Sequence, residues 1–466
     1  MKSQISFWMT QLDEPLTPRA TLTSDITADV VIIGAGYTGL WTAYYLKQQS
    51  PDLKVVMVEA EVAGFGASGR NGGWVIGGLL GEERILAKLG ADARADMHHI
   101  LQGLPDEVGR VIQKENIACD FRKGGVIYAA ARYPEQEKRM RSWLANLHSL
   151  GYTEADYYWL NPSELAEQLI VDRAYGAVFS PNLATIQPAK LVRALARVVE
   201  ALGVPIYEKS PVTDWQPGVV TTPQAKVTAD WVVPAIEGYA ATLAPFDRYQ
   251  LPVQSLMIAT EPLSASVWDQ IGLNRGQAFS ESSRQVTYGQ RSADDRMIFG
   301  ARGGYQFGGK LRTDFHLTTA ETELRQYLMG EMFPVLKKAN ITHRWGGNLG
   351  MARRFMPHML LDRQHQLALS GGYGGEGVAA TNLGGRTLAD LILGKQTNLT
   401  RQPWVRKEGS VYRLSRWEPE PLRWLGYNSI IRSFVHEDQT LANPHAPAWR
   451  RKLALAIAGK MESLMC

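Results

Sequence analysis

Asp29-Val30-Val31-Ile32-Ile33-Gly34-Ala35-Gly36-Tyr37-Thr38-Gly39 reads as a buried strand, a glycine turn and the first turn of a helix. Each glycine has its own task in such a unit. Gly34 permits the tight turn, Gly36 lets backbone approach a pyrophosphate, and Gly39 lets the helix that starts near Thr38 pack on the strand. A second strand, Lys54-Val55-Val56-Met57-Val58-Glu59, ends on an acid twenty residues beyond Gly39. A carboxylate there accepts hydrogen bonds from an adenosine ribose, whereas a basic residue would suit a 2′-phosphate. GxGxxG alone is a weak signal. Strand, turn, helix, strand and terminal acid in this order within about thirty residues predict a dinucleotide-binding unit.

Working outward, residues 1 to about 26 read as an irregular arm. After Glu59 comes Gly64-Phe65-Gly66-Ala67-Ser68-Gly69-Arg70-Asn71-Gly72-Gly73-Trp74, too rich in glycine for an ordinary helix or strand and suited to a backbone that passes close to a ligand. Helical patterns follow at about 83–115 and 134–150, with a strand at 124–130 between them. Pro188–Leu202 is an amphipathic helix with Leu191, Leu195 and Val198 or Val199 on one face, and strands follow at 204–207 and 227–233. From about 245 to 345 short strands alternate with turns, as in Gln285–Gln290 and Arg296–Gly300, the pattern of a sheet facing a ligand. A last strand, Gln366–Ser370, enters a second glycine turn at 371–377 and a helix through Leu393. Beyond about 396 the chain is rich in Trp, Arg and Pro without a clear period and reads as a tail wrapping the body.

Two glycine turns at opposite ends of the chain fit one long dinucleotide better than a nicotinamide site completed within one contiguous half. FAD is the candidate, with its diphosphate at the first turn and the second helix N-terminus beside the flavin ring. The expected fold is α/β plus antiparallel β (α+β). A Rossmann-like FAD-binding domain is drawn from 27–90, 150–240 and 345–395, a mostly antiparallel substrate domain from 91–149 and 241–344, and 396–466 is a C-terminal extension after the 1–26 arm.

The composition is that of a globular chain, 45% hydrophobic and 21% charged, and a net charge of +4 over 466 residues gives no case for nucleic acid. Two cysteines, Cys119 and Cys466, cannot make a disulfide framework or a cysteine-rich metal site, and a reducing compartment is expected. His343, His358 and His365 lack metal spacing, so no metal is expected. Met1–Trp8 has no apolar run of signal-peptide length and no segment approaches eighteen apolar residues, so the reading is a cytoplasmic protein without a transmembrane segment.

The glycine turn with Glu59, Gly66–Gly73, Trp345-Gly346-Gly347 and Gly372-Tyr373-Gly374-Gly375-Glu376-Gly377 together resemble the D-amino-acid oxidase (DAO) superfamily of flavoproteins over about 27–395. Within it the chain is similar to the branch of gamma-glutamylputrescine oxidase and the aminophosphonate oxidoreductases. The resemblance implies FAD-dependent oxidation of a C–N bond in a primary or secondary amine. Hydride passes to flavin N5, the imine is hydrolysed, and oxygen or another acceptor reoxidises the cofactor. It places Gly34, Gly36, Tyr37, Thr38 and Gly39 at the diphosphate and Glu59 on the ribose. Ala67, Ser68, Arg70, Asn71 and Gly72 fall along the flavin and ribityl chain, Val212 at the adenine, and Gly374, Gly375, Gly377 and Val378 at the pyrimidine edge. The Cys or His of covalently flavinylated relatives has no match, so noncovalent FAD is expected.

Substrate residues are more open. The lysine that helps hold a carboxylate in sarcosine-oxidase-like relatives is replaced near Ala379, and Glu376 stands where relatives often have His. Arg302, Arg353 and Arg354 are candidate contacts for a distal anion, with surface solvation as the competing role. Glu376 is a candidate amine anchor or a helix cap, and Tyr288 and Tyr305 are candidate clamps or ordinary sheet residues. No catalytic side chain is named. The substrates that fit are amines with a distal anion, such as gamma-glutamylputrescine or an aminoalkylphosphonate. A noncatalytic FAD-binding maturation or scaffold protein and an amino-acid oxidase or dehydrogenase are the alternatives, and oligomeric state is open. The basic helix from Trp449 to Ile457 fits docking on its own domain or on another subunit, or contact with a membrane surface.

Overall fold

The computed structural model of the chain describes residues 2–244, 246–406 and 410–465, so Cys466 lies outside the described residues. β1 (Ile26–Ile33) runs parallel to β2 (Val55–Val58), with Val30 opposite Val55 and Ile33 opposite Val58, and parallel to Lys226–Pro234 on its other side. Val30 to Ile33 and Val55 to Val58 are buried throughout, as strands covered on both faces must be. The full order of this sheet is Val405–Arg406, His358–Asp362, Leu367–Gly371, Lys226–Pro234, β1, β2, Ile206–Tyr207, with 214–216 and 219–221 added as an antiparallel flap. α1 (Tyr37–Gln49) leaves β1 through the glycine turn and packs on α2 (Gly377–Ile392), the helix after the second turn. Their approach is close because Gly385 has no side chain; a Cβ there would stand 2.6 Å from Trp41 Cβ.

The second sheet has eight strands, ordered 341–352, 250–260, 297–305, 288–291, 278–281, 126–130, 176–180, 158–160. It is antiparallel except between 126–130 and 278–281. One face buries Ile127, Phe279, Phe299 and Ile258 with Leu328 and Met329 of the helix Thr319–Met332. On the other face Tyr288, Gly300, Met257 and Trp345 are successive cross-strand partners. That face meets the glycine loop: Gln290 Nε2 donates to the Gly72 carbonyl at 2.6 Å and Trp345 Nε1 to the Arg70 carbonyl at 2.8 Å.

Three boundaries differ from those read along the sequence. Strands 158–160 and 176–180 belong to the second sheet, not to the FAD-binding unit, and 341–352 is one strand across the expected break at 345. Helices Ala91–Gln102 and Leu104–Lys114 place Leu101, Leu104, Val108 and Val111 in the same core as Val30, Leu40 and Leu383, so this part of 91–149 packs on the dinucleotide unit. Tyr44 and Tyr45 of α1 donate to Glu115 and Glu107, each at 2.7 Å. Hydrophobic period reveals which face of an element is buried, not which layer buries it.

The two ends are also more ordered than expected. In the arm, short helices at Lys2–Ile5 and Phe7–Thr10 bury Phe7, Trp8 and Met9, and Trp8 Nε1 donates to the Asn71 carbonyl at 2.8 Å. The extension forms a helical hairpin, α3 (Leu422–Ala442) and α4 (Ala448–Met465). The buried face of α3 is Arg423, Tyr427, Ile430, Phe434, Glu437, Asp438 and Leu441, a regular helical period in which charged residues stand at core positions. They are paired there: both carboxylate oxygens of Asp438 accept from Arg132, and Glu437 bonds Arg139 and Arg284.

Candidate cofactor and active site

The carboxyl end of the parallel sheet opens into a cleft of about 690 Å³, within the range of small-molecule and cofactor sites. Gly34, Gly36, Tyr37, Thr38, Glu59, Ala67, Ser68, Arg70, Asn71, Val212, Gly375, Gly377 and Val378 all line it. Gly34 has φ +102°, and a Cβ there would stand 2.7 Å from the Ala235 carbonyl oxygen, so the turn admits no side chain. Ser68 Oγ accepts from the Tyr37 N–H at 2.9 Å and thereby fastens the glycine loop to the start of α1. Glu59 Oε2 accepts from the Ala35 N–H at 2.8 Å and Oε1 from the Glu61 N–H at 2.9 Å. Burial pushes this carboxyl up to about 6, offset in part by those two N–H groups. The two glycine turns meet directly, since Thr38 and Tyr373 are joined through their hydroxyls at 3.3 Å.

Gly39, Gly72 and Gly374 do not line the cleft; they hold its walls. A Cβ on Gly39 would lie 2.2 Å from the Gly34 carbonyl oxygen, one on Gly72 2.7 Å from the Tyr288 ring, and one on Gly374 2.0 Å from Leu80. Arg70 is buried and its guanidinium donates to three backbone carbonyls: Phe65 at 2.7 Å, Ile5 at 2.8 Å and Gly346 at 3.1 Å. It therefore joins the arm, the glycine loop and the second sheet while leaving a positive charge, without an ion-pair partner among the described residues, at the cleft wall. Desolvation lowers its pKa.

Several lining residues lie outside the motifs. Glu237, Tyr239 and Thr242 follow the strand Lys226–Pro234, and Leu311, Arg312, Thr313 and Phe315 form a loop over the cleft from the second sheet. Glu237 Oε2 accepts from the Gly350 N–H at 2.7 Å, and burial raises its carboxyl to about 7. The loop is fixed by Arg312, which forks onto Glu321 at 2.6 and 3.1 Å and exchanges backbone hydrogen bonds with the Asn348 side chain. The carboxyl end of a parallel strand was the available signal for Glu237; the 311–315 loop carried none.

The substrate candidates separate. Arg353 is spent on Glu418 at 3.0 and 3.3 Å and on the Met465 carbonyl at 3.0 Å, stacked over Trp417. Arg354 is exposed in a left-handed turn (φ +63°), and its carbonyl accepts from Arg84. Arg353 is thus engaged by the tail, the Arg354 guanidinium stands in solvent, and neither arginine lines the cleft. Tyr305 donates to Glu420 at 2.5 Å and packs on Tyr427, and Tyr288 is wedged between Ser255, Gly300 and Gly72. Arg302 differs: it pairs across strands with Ser255 on the face toward the glycine loop, lies over Phe434, and its Nε is buried without a partner. Glu376 occupies the N-cap position of α2 but makes no side-chain cap bond, so the helix-cap role is not realised; burial and the neighbouring Glu83 raise it to about 7. Close by, Glu82 accepts from Tyr152 Oη and from the Leu79 N–H, both at 2.6 Å. Desolvation, with repulsion from Glu376 among the smaller causes, pushes Glu82 up to about 8. A run of aromatics, Tyr128, Trp143, Tyr157 and Tyr152, with successive centroids 5.0, 5.8 and 5.1 Å apart, flanks this acidic corner.

Residues 29–391 match the family model described as FAD dependent oxidoreductase (DAO). The chain belongs to that family. Among curated relatives it is 31% identical over 390 residues to a probable oxidoreductase, OrdL, of Haemophilus influenzae, covering 80% of this chain and 84% of the relative. It is 29% identical over 389 residues to gamma-glutamylputrescine oxidoreductase of Escherichia coli, covering 81% and 86%. In fold it is similar to glycine oxidase from Geobacillus kaustophilus (TM-score 0.67, 18% identity, 82% of this chain and 99% of that one) and from Bacillus cereus (TM-score 0.65, 20% identity, 82% and 100%). The family's cofactor is FAD, and the cleft suits it: it runs without interruption from Glu59 and Val212 to the N-terminus of α2, with side chains excluded by contact at Gly34. The protein is an FAD-dependent oxidoreductase whose catalytic unit combines the parallel sheet and the antiparallel sheet described above.

Proposed function

We propose that this family member oxidises the C–N bond of a primary or secondary amine, and that the amine carries a distal anion, as gamma-glutamylputrescine or an aminoalkylphosphonate does. The observation that carries the reading is the acidic corner beside the end of the cleft at Gly375 and Gly377. The half-buried Glu376, between them in sequence, does not itself line the cleft and has no hydrogen-bond partner among the described residues, and Glu82 is within its electrostatic reach. With its carboxyl raised to about 7, Glu376 beside the aromatic rings attracts an ammonium group and can take its proton at a carboxylate oxygen, leaving the neutral amine that oxidation requires. Bound FAD supplies the two-electron acceptor. The chain's own part is positional: the turn at Gly34 and Gly36 with the N-terminus of α1 holds the diphosphate, Glu59 meets the ribose, and Arg70 with the N-terminus of α2 favours negative charge on the ring. Arg302, which does not line the cleft but has a buried, unpartnered Nε on the sheet face toward the glycine loop, is the cation proposed to receive the distal anion.

Retention of FAD without a covalent bond agrees with a cleft that no Cys or His lines among the described residues. The buried free thiol of Cys119 suits a reducing compartment, for which the cytoplasm is the proposal, and oxygen or a second acceptor completes turnover. Anaerobic mixing with gamma-glutamylputrescine, aminoethylphosphonates, their N-methyl forms and simple amino acids tests the reading. Bleaching of the flavin by the anionic amines supports it. A spectrum that no amine in the panel bleaches would sink it.

A further inference from the structure

The C-terminal hairpin carries a surface that its own packing does not require. α4 turns Ala454, Ala458 and Met465 inward, and Ala458 and Met465 share a core with Ile430 and Phe434 of α3. Its outward stripe consists of Trp449, Leu453, Ile457 and Leu464, which are 64%, 51%, 43% and 55% exposed. The spacing i, i+4, i+8, i+15 sets these four side chains on one side of the helix. The companion helix behaves differently: beyond its first turn α3 shows Ser429, Arg432, His436 and Gln439 to solvent. α3 thus exposes apolar side chains only in its first turn, Leu422 and Leu425, whereas the outer face of α4 is apolar over its whole length.

Charge completes the pattern. Arg450 and Lys452 border the stripe on either side and Lys460 lies within it; among the described residues none of the three has an ion-pair partner. The remaining charged groups of α4 are turned back onto the protein, Arg451 to Glu135 and Glu462 to Arg284. Arg450 also lies over the Trp449 ring at 5.7 Å.

We infer that α4 docks the enzyme on an anionic lipid surface, with the Trp449–Leu464 stripe at the boundary of headgroups and acyl chains and Arg450, Lys452 and Lys460 among the lipid phosphates. A tryptophan at one end of such a stripe suits the interface, where its ring is partly dry and its N–H is wet. No described helix is long and apolar enough to cross a membrane, so the contact is peripheral. A second copy is the poorer occupant, because a two-fold contact sets the same three cations against themselves. The inference does not depend on the identity of the amine.

The test is flotation of the full FAD-loaded chain with vesicles of equal parts phosphatidylglycerol and phosphatidylcholine, beside vesicles of phosphatidylcholine alone. The enzyme rises with the anionic vesicles at low salt and stays down with the neutral ones. Trp449→Ser/Leu453→Ser/Ile457→Ser stays down in both, with its flavin spectrum and thermal melting unchanged. Arg450→Gln/Lys452→Gln/Lys460→Gln partitions on the order of a hundredfold more weakly. Failure to rise with anionic vesicles overturns the inference, as does equal binding to neutral vesicles or undiminished binding of the serine variant. A dimer that the serine variant breaks, without vesicle binding by either protein, assigns the stripe to a second copy instead.

Discussion

Arg132 and Asp438, 306 residues apart, form a buried two-point ion pair with N–O distances of 2.7 and 2.9 Å. It ties α3 to the end of the 126–130 strand, and Glu281 lies 3.5 Å from the same guanidinium. Removing one member leaves the other charged in a dry site. Asp438→Ala is expected to destabilise the protein by about 3–5 kcal/mol, while the double change Arg132→Met/Asp438→Leu costs less, because the one carboxylate it leaves without a cation, Glu281, keeps its hydrogen bonds from Gln136 and Ser283. Chemical denaturation of the four proteins of the cycle measures the difference; equal losses in the single and double variants would show that the pair is not what holds α3.

Two glycines predict opposite responses to the same added methyl. Gly39→Ala drives a Cβ to 2.2 Å from the Gly34 carbonyl oxygen, with Ile32 and Met57 at 3.0 and 3.1 Å. A loss of about 1–3 kcal/mol and weakened FAD retention are expected. Gly426 lies inside α3 with nothing within 4 Å of a built Cβ, so Gly426→Ala gains up to about 1 kcal/mol of helix propensity. Thermal melting and cofactor titration of both variants check the contrast.

Glu82 makes stability depend on pH. Its folded pKa of about 8 lies above the ordinary 4.5, so the folded state binds the proton more tightly than the unfolded state. Its stabilising contribution is complete below about 4.5 and is lost as pH rises toward about 8. Glu82→Gln keeps an acceptor for Tyr152 but cannot ionise. Melting temperatures taken from about pH 5 to about pH 9 are expected to show the variant gaining on the wild type as pH rises. A constant difference across that range contradicts the assignment.

Arg302 and Arg353 separate an anion site from a structural pair. Arg302→Met is expected to raise KM for anionic amines about tenfold or more, the worth of a charge-assisted hydrogen bond, with a smaller change in kcat. Arg353→Met removes the bonds to Glu418 and Met465 and is expected to lower thermal stability while leaving KM alone. Unchanged KM in Arg302→Met, with the protein folded, removes the proposed anion site.

Much of the dinucleotide half was legible because its signals are local: strand, glycine turn, helix start and terminal acid all fall between Asp29 and Glu59. The second turn was legible for the same reason. Layer membership was not, since Gly176–Ser180 is buried along its whole length and such a run does not show which sheet it joins. α3 was hidden because Arg423, Glu437 and Asp438 occupy core positions, and a period read from apolar residues alone passes over them. Arg353 shows a different limit: its sequence setting suits an anion contact, and its engagement by Glu418 becomes visible only once the tail is placed against 341–352.

The hydroxyl contact between Thr38 and Tyr373 spans 335 residues and has a consequence for biosynthesis. During translation the first glycine turn leaves the ribosome long before its partner, and Leu367–Gly371 and α2 exist only when most of the chain has been made. A cleft built from both turns can therefore close only late in synthesis. Until then Lys226–Pro234 has an open edge where Leu367–Gly371 will pair, which makes the nascent chain most vulnerable to misassociation while it is still tethered.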